Sequence, residues 1–396
     1  MSGPAVRPIG AGGIRALYFA YFAFIGIYSP YLSLWFDARG LSIPEIALLM
    51  SLPQALRIVA PPCWGWLADR GGRRVELLRA SAIASLGVLL LFPHAGGTAS
   101  LAALMLALFF LTAAQMPIGE AIALDLSGGD SGRYGRLRLW GSVGFVLAVV
   151  GGGPVLAALG LDALPWMMAA AMAGLAAVTL SLPRVAPARA VRASTPVAAR
   201  LREPAVAAFM ASAFLMIFAH AGLYSFYSLF LERQGWGTTA IGLIWGVGVV
   251  AEIALFTGQR LLFDRFPPLA LLGASFAVCA LRFAMVAGSE GSLAVLLGAQ
   301  LMHAVTFGLH HSASMAVLHR WFEPAQQARA QAAFIVVGYG LGGSAGGLAS
   351  GWLWERVSPE ATFLGASAAA LAGWGAVWLA ARLAARRGDG DGRVVR

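Results

Sequence analysis

Twelve apolar segments follow one another along this 396-residue chain, and they limit its fold more than any other feature. About 20 consecutive apolar residues are needed for a helix to cross the hydrocarbon core of a bilayer. With 59% hydrophobic residues, 12% charged residues and a mean hydropathy of +0.76, the chain is too apolar for a soluble protein of this length. The sequence predicts an all-α integral membrane protein with twelve transmembrane helices. These lie near 14–36, 45–68, 76–96, 99–122, 138–159, 163–183, 205–231, 239–262, 268–287, 291–318, 328–354 and 360–383.

The arginines predict how the chain is oriented in the membrane. The net charge of +10 comes from arginine alone, because the chain contains no lysine. An internal N-terminus places 23 of the 28 arginines in cytoplasmic segments or at the cytoplasmic ends of spans, and only Arg39, Arg233 and Arg356 outside. This asymmetry follows the positive-inside rule and predicts a multi-pass inner-membrane protein with both termini in the cytoplasm. Since the arginines do not form one basic patch, nucleic acid is not an expected partner.

The chain divides into two halves of six spans each. Residues 184–203 carry five arginines and no long apolar run, so they predict a cytoplasmic linker. The expected organisation is an N-terminal six-helix bundle at 1–183, the linker at 184–203, a C-terminal six-helix bundle at 204–385 and a cytoplasmic tail at 386–396. Cys63 and Cys279 lie inside apolar segments, so neither a disulfide framework nor a metal site is expected.

A basic, glycine-containing motif lies between spans two and three. Residues 65–74 have the pattern G-x-L-A-D-R-x-G-R-R, in which the glycines allow a tight turn and Asp69 can cap a helix N-terminus. The pattern resembles the cytoplasmic loop between helices two and three of the major facilitator superfamily of transporters. An ordinary basic turn at a membrane surface is the alternative. A weaker echo, with Asp264-Arg265, lies between spans eight and nine. The predicted gating residues are Gly65, Asp69, Arg70, Gly72 and Arg73.

Ionisable residues inside the spans are candidates for function, because a charge in the membrane is costly unless it is paired or faces water. They are Arg57, Glu120, Arg138, Glu252 and Arg282 in spans two, four, five, eight and nine. Glu252 and Arg282 are expected to pair, either as part of a transport site or as a structural ion pair. Span ten repeats polar and aromatic residues at three or four positions, which predicts one shared helix face for His303, Thr306, Phe307, His310 and Ser314.

The C-terminal half resembles the phenylpropionate permease branch of the superfamily. The resemblance rests on His220-Ala221-Gly222-Leu223-Tyr224, Gly248-Val249-Val250-Ala251-Glu252, Arg282-Phe283 and Leu301-Met302-His303-Ala304-Val305-Thr306-Phe307 followed by His311. This likeness implies a secondary transporter that moves a small organic solute.

A more distant likeness is to lactose permease and its oligosaccharide:proton relatives. It is carried by Pro117-Ile118-Gly119-Glu120 and by residues 134–144, YGRLRLWGSVG. By this resemblance Glu120 and Arg138 match a sugar-binding pair, whereas Glu252, Arg282 and His303 match the charged residues of spans eight to ten. Two residues depart from the lactose permease pattern, since Thr306 replaces a proton-carrying Glu and Phe145 replaces a stacking Trp.

The sequence therefore predicts a proton-coupled symporter, with an aromatic carboxylate as the solute. Arg57, Arg138 and Arg282 exceed Glu120 and Glu252 by one positive charge, which a monocarboxylate could neutralise unless Asp125 does so. The predicted proton-coupling residues are Glu252, Arg282, His303 and His220. The predicted substrate contacts are Arg57, Glu120, Arg138, Tyr28, Tyr224 and Thr306.

The same residues leave other functions open. A sugar or nucleoside symporter and a drug/proton antiporter are the alternatives within transport, and a channel or sensor on the same scaffold is a further one. A membrane enzyme is not expected, because the sequence contains neither a His-Glu-x-x-His helix motif nor a Gly-x-Ser-x-Gly elbow. No cofactor and no metal are expected. The expected partners are the solute, protons and membrane lipid, and the expected state is a monomer.

Overall fold

The computed structural model describes residues 10–71, 73–128, 130–183 and 197–386, and for residues 69–71 and 131 it describes the backbone only. Three sequence predictions fall wholly or partly outside this part of the chain. They are Gly72 of the loop motif, most of the linker (184–196) and the tail from residue 387. The side chains of Asp69 and Arg70 also lie outside the described atoms.

The prediction of twelve transmembrane helices is confirmed. Within the described residues, twelve helices are long and apolar enough to cross a membrane. They are α1 (Ala11–Ala38), α2 (Ile43–Ala68), α3 (Arg74–His94), α4 (Thr98–Ser127), α5 (Gly132–Leu159), α6 (Leu161–Ser181), α7 (Pro204–Arg233), α8 (Thr238–Gly258), α9 (Pro268–Ala287), α10 (Leu293–Trp321), α11 (Gln327–Arg356) and α12 (Pro359–Arg386). Each lies within a few residues of a predicted apolar segment.

The largest difference in boundaries is between α4 and α5, which are longer than their apolar cores. Helix α5 begins at Gly132 rather than near 138, because Asp130 caps its N-terminus. An Asp130 side-chain oxygen accepts a hydrogen bond from the backbone N–H of Arg133 at 3.0 Å. This hydrogen bond lowers the pKa of the exposed Asp130 carboxyl. Hydropathy does not detect such a polar first turn, so the predicted start was too late.

The helices form two compact units. The first contains α1 to α6 together with Trp236–Gly246, the start of α8, and the second contains α7, the rest of α8 and α9 to α12. Within the first unit, Arg79 of α3 donates hydrogen bonds to the carbonyls of Thr179, Leu180 and Leu182 at the end of α6. A cationic side chain thereby satisfies carbonyls that a helix end leaves without partners.

Both units contain close contacts between a glycine and the backbone of a neighbouring helix. Gly144 of α5 packs on the backbone of Phe19 in α1, and Gly346 of α11 packs on the backbone of Phe218 in α7. A Cβ added at either glycine would lie under 3.0 Å from the facing carbonyl oxygen, so neither position accepts a side chain without movement. Glycine lets two helix backbones approach this closely.

Among the described residues, two helices contain a wide π-helical turn, at Ala304–Leu309 in α10 and at Ile335–Gly342 in α11. Such a turn adds one residue to a helical repeat and rotates the residues that follow it relative to a regular helix. In α10 the turn begins directly after His303, among the residues predicted to bind solute and protons.

Candidate functional site

The centre of the C-terminal unit is a buried arginine, Arg282 of α9, which has no exposed surface. Its Nε donates to the carbonyl oxygen of Ala299 at 2.9 Å, and its Nη2 donates to Oε1 of Gln300 at 3.0 Å. Nη1 donates to Oγ1 of Thr306 at 3.0 Å and lies 3.3 Å from Nε2 of His220. All four acceptors are neutral groups. The structure therefore gives Arg282 partners other than the predicted Glu252.

His220 of α7 is held in one tautomer by two neighbours that cannot exchange roles. Its Nδ1 lies 2.9 Å from the carbonyl oxygen of Met216, which only accepts, so Nδ1 carries the hydrogen. Its Nε2 faces the Arg282 guanidinium, which only donates, so Nε2 presents its lone pair. A second proton on Nε2 would face the arginine N–H directly. This geometry suits a fixed neutral imidazole that supports Arg282.

Gln300 of α10 belongs to this network, although the sequence analysis did not select it. Its side chain is 3% exposed, and it accepts a hydrogen bond from Arg282. The available signal was its position one helical turn before His303, in an otherwise apolar part of the span. An uncharged amide in a membrane helix is a weaker indicator of function than a charged side chain, so the sequence alone does not single out Gln300.

A pair formed by a carboxylate and an imidazole lies beside the Arg282 network. Nε2 of His303 in α10 lies 3.9 Å from Oε2 of Glu252 in α8. The two side chains retain 9% and 18% of their exposure, respectively, so Glu252 is the more accessible of the two. His303 also stacks on Phe307, with ring centroids 5.3 Å apart and an interplanar angle of 9°. The buried Nδ1 of His303 has no hydrogen-bond partner among the described residues.

Aromatic rings surround the imidazoles of His220 and His303. Phe283 lies 5.2 Å from the His220 ring, and Phe307 lies 6.0 Å from it. Tyr224, one turn along α7, contacts the rings of both His220 and Phe307 and is partly exposed. Thr306, a predicted solute contact, is fully buried with its hydroxyl bound to Arg282. Of these two predicted contacts, Tyr224 is therefore the one with exposed surface.

A π-helical turn lies within the predicted shared face of α10. His303 and Thr306 face the Arg282 network, whereas His310 packs edge-on against Phe276 of α9, with ring centroids 5.6 Å apart. Oγ of Ser314 is buried and has no hydrogen-bond partner among the described residues. Thr306 and His310 therefore both contact α9, and the wide turn at Ala304–Leu309 lies between His303 and His310.

In the N-terminal unit, Arg138 of α5 and Glu120 of α4 come together. Nε of Arg138 lies 3.9 Å from Oε1 of Glu120, and about a third of each side chain is exposed. The guanidinium of Arg138 lies over the ring of Phe22 at 4.2 Å and near that of Tyr18 at 5.4 Å. These are distances at which a cation is attracted by an aromatic face. Neither ring belongs to the predicted site residues.

The remaining predicted residues of this unit lie on α1 and α2. Arg57 is exposed and lies near enough to Tyr21 and Tyr28 to act electrostatically on their hydroxyl groups. Tyr28 also contacts the rings of Phe24 and Phe109, at 5.2 and 5.1 Å. A guanidinium and partly exposed aromatic rings therefore occur together in the N-terminal unit, beside the Arg138–Glu120 pair.

Asp125 has a different partner from the one considered in the sequence analysis. Its Oδ2 lies 3.0 Å from Nη1 of Arg74, at the ends of α4 and α3. It is thus not the counter-ion of Arg57 or Arg138. In the loop motif, Gly65 lies within α2 with open space beside it, and Arg73 is exposed directly before α3. Asp264 of the echo motif pairs with Arg260 at 3.6 Å.

These groups are suited to binding and proton exchange. Within the part of the chain that the structure describes, no group of three or more His, Cys, Asp or Glu side chains could hold a metal ion. Each unit instead presents a carboxylate beside a nitrogen base or cation, with aromatic rings next to it. Twelve membrane helices in two six-helix halves, with such groups inside the spans, define a secondary transporter of the major facilitator type.

The comparison with protein families agrees with this class. The model of the MFS_1 like family matches residues 13–365, and the chain belongs to that family. Two curated relatives cover most of it. A probable 3-phenylpropionic acid transporter of Escherichia coli (strain K12) is 27% identical over 303 residues, 75% of this chain and 79% of the relative. A maltose permease of Geobacillus stearothermophilus is 26% identical over 351 residues, 88% of each chain.

Solved structures confirm the fold. The crystal structure of the nucleoside transporter NupG superposes with a TM-score of 0.81, covering 93% of this chain and 98% of that one at 16% identity. A bacterial homologue of the human lysosomal transporter Spinster, in its inward-facing and occupied conformation, superposes with a TM-score of 0.71. That match covers 94% of this chain and 96% of the homologue at 17% identity. The protein is therefore a multi-pass membrane protein with the fold of major facilitator transporters.

Proposed function

We propose that this protein is a proton-coupled symporter of a small aromatic carboxylate. It would act as a monomer in the inner membrane, with both termini in the cytoplasm. The observation that carries the proposal is the Glu252–His303 pair, a carboxylate and an imidazole 3.9 Å apart and partly accessible inside a membrane unit. Ionisable groups in this setting are typical of proton pathways.

Proton binding is assigned to Glu252, with His303 as its neighbour. A carboxylate next to an imidazole can hold one proton between them, and a small change in their separation shifts that proton. Arg282 contributes a fixed positive charge close by without binding Glu252 in this conformation. We assign His220 the role of a neutral hydrogen-bond partner of Arg282, because Met216 and Arg282 hold its two ring nitrogens.

Substrate binding is assigned first to the N-terminal unit. Away from the helix ends, this unit carries Arg57 and Arg138 against the single carboxylate of Glu120. An anionic solute would balance the charge, and Tyr28 and the neighbouring rings would contact an aromatic group. Glu120 would orient Arg138. In the C-terminal unit, Tyr224 would contact the solute, and Thr306 would act through Arg282.

The named relatives support an organic solute of this size without fixing its class. The 3-phenylpropionic acid transporter favours the aromatic carboxylate, whereas the maltose permease, which covers more of this chain, favours a sugar. The excess of positive charge from Arg57 and Arg138 over Glu120 favours the carboxylate, because a neutral sugar would leave that excess unchanged.

Gating is assigned to the loop motif, whose predicted residues are Gly65, Asp69, Arg70, Gly72 and Arg73. The motif joins α2 to α3, so a change in its hydrogen bonding would be transmitted to both helices. Asp69 is the residue assigned to stabilise one of the two alternating states.

Transport in proteoliposomes tests the proposal. Labelled 3-phenylpropionate, maltose and a nucleoside are offered under an inward proton gradient and under no gradient. We expect the carboxylate to accumulate only with the gradient, and counterflow to exchange it without one. Accumulation of maltose alone would show that the substrate is a sugar, and accumulation of the nucleoside alone would show that it is a nucleoside. Efflux driven by the same gradient indicates an antiporter, and flux without counterflow indicates a channel.

A further inference from the structure

A groove on the C-terminal unit lies far along the spans from the Arg282 network. It runs between the start of α9 and the ends of α10 and α12, with a volume of about 640 Å³. Its walls are largely apolar. Trp374 and Trp378 of α12 form one side and keep about half of their surface exposed. Gly273 of α9 lies directly against Trp374, and neighbouring alanines of α9 also line the groove.

The end of this groove is basic. Arg200 and Arg320 line it, and no acidic side chain does so among the lining residues described. A third arginine, Arg382, holds its guanidinium 3.6 Å from the centroid of the Trp378 ring, at the same end. Glu203 binds Arg200 at 2.9 Å, which offsets one of the three charges. Since the described lining residues include two arginines and no acid, this end of the groove is basic.

We propose that the groove binds an anionic phospholipid, with an acyl chain along Trp374 and Trp378 and the phosphate at Arg320 and Arg382. Both the apolar walls of the groove and its basic end fit an anionic phospholipid. The exposed apolar side chains of Leu371 and Leu379 lie on α12 together with Trp374 and Trp378, and tryptophan is enriched at the membrane interface. Basic pockets between transmembrane helices suit anionic headgroups. In the proposed orientation, this end of α10 and α12 meets the cytoplasmic leaflet.

A soluble anion fits the groove less well than a lipid. Phosphate alone would use the two arginines and leave the apolar walls without a partner. A zwitterionic lipid would fill the walls, but its choline group would bring a positive charge next to Arg320 and Arg382. An anionic lipid uses both features. The proposal concerns a surface outside the assigned solute site, so it is independent of which solute is carried.

Native mass spectrometry of the delipidated, purified protein measures the binding. Dioleoylphosphatidylglycerol is the probe, and dioleoylphosphatidylcholine and glycerol 1-phosphate are compared with it. We expect the anionic lipid to bind most tightly. The double variant Arg320→Gln/Arg382→Gln should bind it about 30-fold more weakly, at roughly fivefold for each lost cation. Arg260→Gln, which removes an exposed arginine outside this groove, should bind as the unchanged protein does.

Three results would overturn the proposal. These are equal binding of the two phospholipids, equal binding by the Gln double variant and the unchanged protein, or competition by glycerol 1-phosphate at the lipid's own concentration. The variant Arg320→Lys/Arg382→Lys guards against a folding defect, since it keeps both charges. It should recover binding to within about fivefold of the unchanged protein. Binding as weak as that of the Gln variant would show that charge does not hold the lipid.

Discussion

Oε2 of Glu252 lies 3.9 Å from Nε2 of His303, whereas the hydrogen bonds of Arg282 go to four neutral acceptors. The acid and the arginine of the C-terminal unit therefore have separate partners. A carboxylate bound directly to a guanidinium takes up a proton less readily, because the ion pair favours the charged form. A carboxylate beside an imidazole keeps access to both protonation states. The 3.9 Å contact with His303 is the reason why Glu252 is the proposed proton carrier.

The variant Glu252→Gln keeps the shape of the side chain but cannot release a proton. Uptake against a concentration gradient, driven by an inward proton gradient, should fall to the level of empty liposomes. Counterflow should persist at a reduced rate, because exchange needs no net proton movement. Labelled solute in proteoliposomes measures both. Glu360→Gln, at the exposed start of α12, is the control and should behave as the unchanged protein. If Glu252→Gln still accumulates solute, His303 becomes the proton carrier.

The variant Arg282→Gln should destabilise the C-terminal unit. It leaves Thr306, Gln300 and the carbonyl of Ala299 without their buried donor, at a cost of about 3 kcal/mol in the free energy of unfolding. Arg282→Lys should recover part of this stability only, because one ammonium cannot reach all four acceptors. Thermal unfolding in detergent measures the melting temperatures. We expect the unchanged protein to have the highest, Arg282→Lys an intermediate one and Arg282→Gln the lowest. Equal melting temperatures for all three would show that the network does not stabilise the unit.

Gly144→Ala and Gly346→Ala should each destabilise the protein by about 1–3 kcal/mol, because the added methyl group meets the backbone of Phe19 or Phe218. Gly151→Ala is a matched control on α5, where a Cβ meets no atom within 4 Å. That control should be neutral or slightly stabilising, since alanine favours a helix over glycine. Thermal unfolding compares the three variants. A control that melts as early as Gly144→Ala would refute the close-packing explanation.

Arg57→Gln should weaken binding of a carboxylate and spare a neutral analogue. The expected loss is about tenfold or more for 3-phenylpropionate, from one charge-assisted contact, with a smaller change for 3-phenylpropanol. Thermal-shift titration of the purified protein with each compound measures both affinities. Arg15→Gln on α1, outside the assigned site, serves as the control. Equal losses for the acid and the alcohol would mean that Arg57 does not bind the carboxylate.

Asp69→Asn should slow transport without abolishing substrate binding, because the proposed part of Asp69 is to stabilise one alternating state. Initial uptake rates in proteoliposomes and ligand-induced thermal shifts separate the two effects. We expect a reduced rate and an unchanged shift. An unchanged rate would remove the gating assignment, and loss of the thermal shift would indicate damage to the fold instead.

The sequence by itself determined the number of helices and their approximate bounds. Length and hydropathy decide whether a segment crosses a bilayer, and neither depends on which helices become neighbours. It also identified Glu252, Arg282, His303 and His220, since ionisable residues are rare in membrane spans. Where a polar side chain shaped a helix end, as Asp130 does for α5, hydropathy gave the wrong boundary.

Only the tertiary structure decided which of these residues are partners. Gln300 takes a hydrogen bond from Arg282, and His303 lies beside Glu252, because α8, α9 and α10 pack in a way that spacing along the chain does not define. The contact of His310 with Phe276 of α9 and the π-helical turn after His303 likewise depend on how α10 packs, and a regular repeat of 3.6 residues does not predict the turn. Hydropathy is a property of each segment, whereas a hydrogen bond needs two side chains brought together by packing between segments.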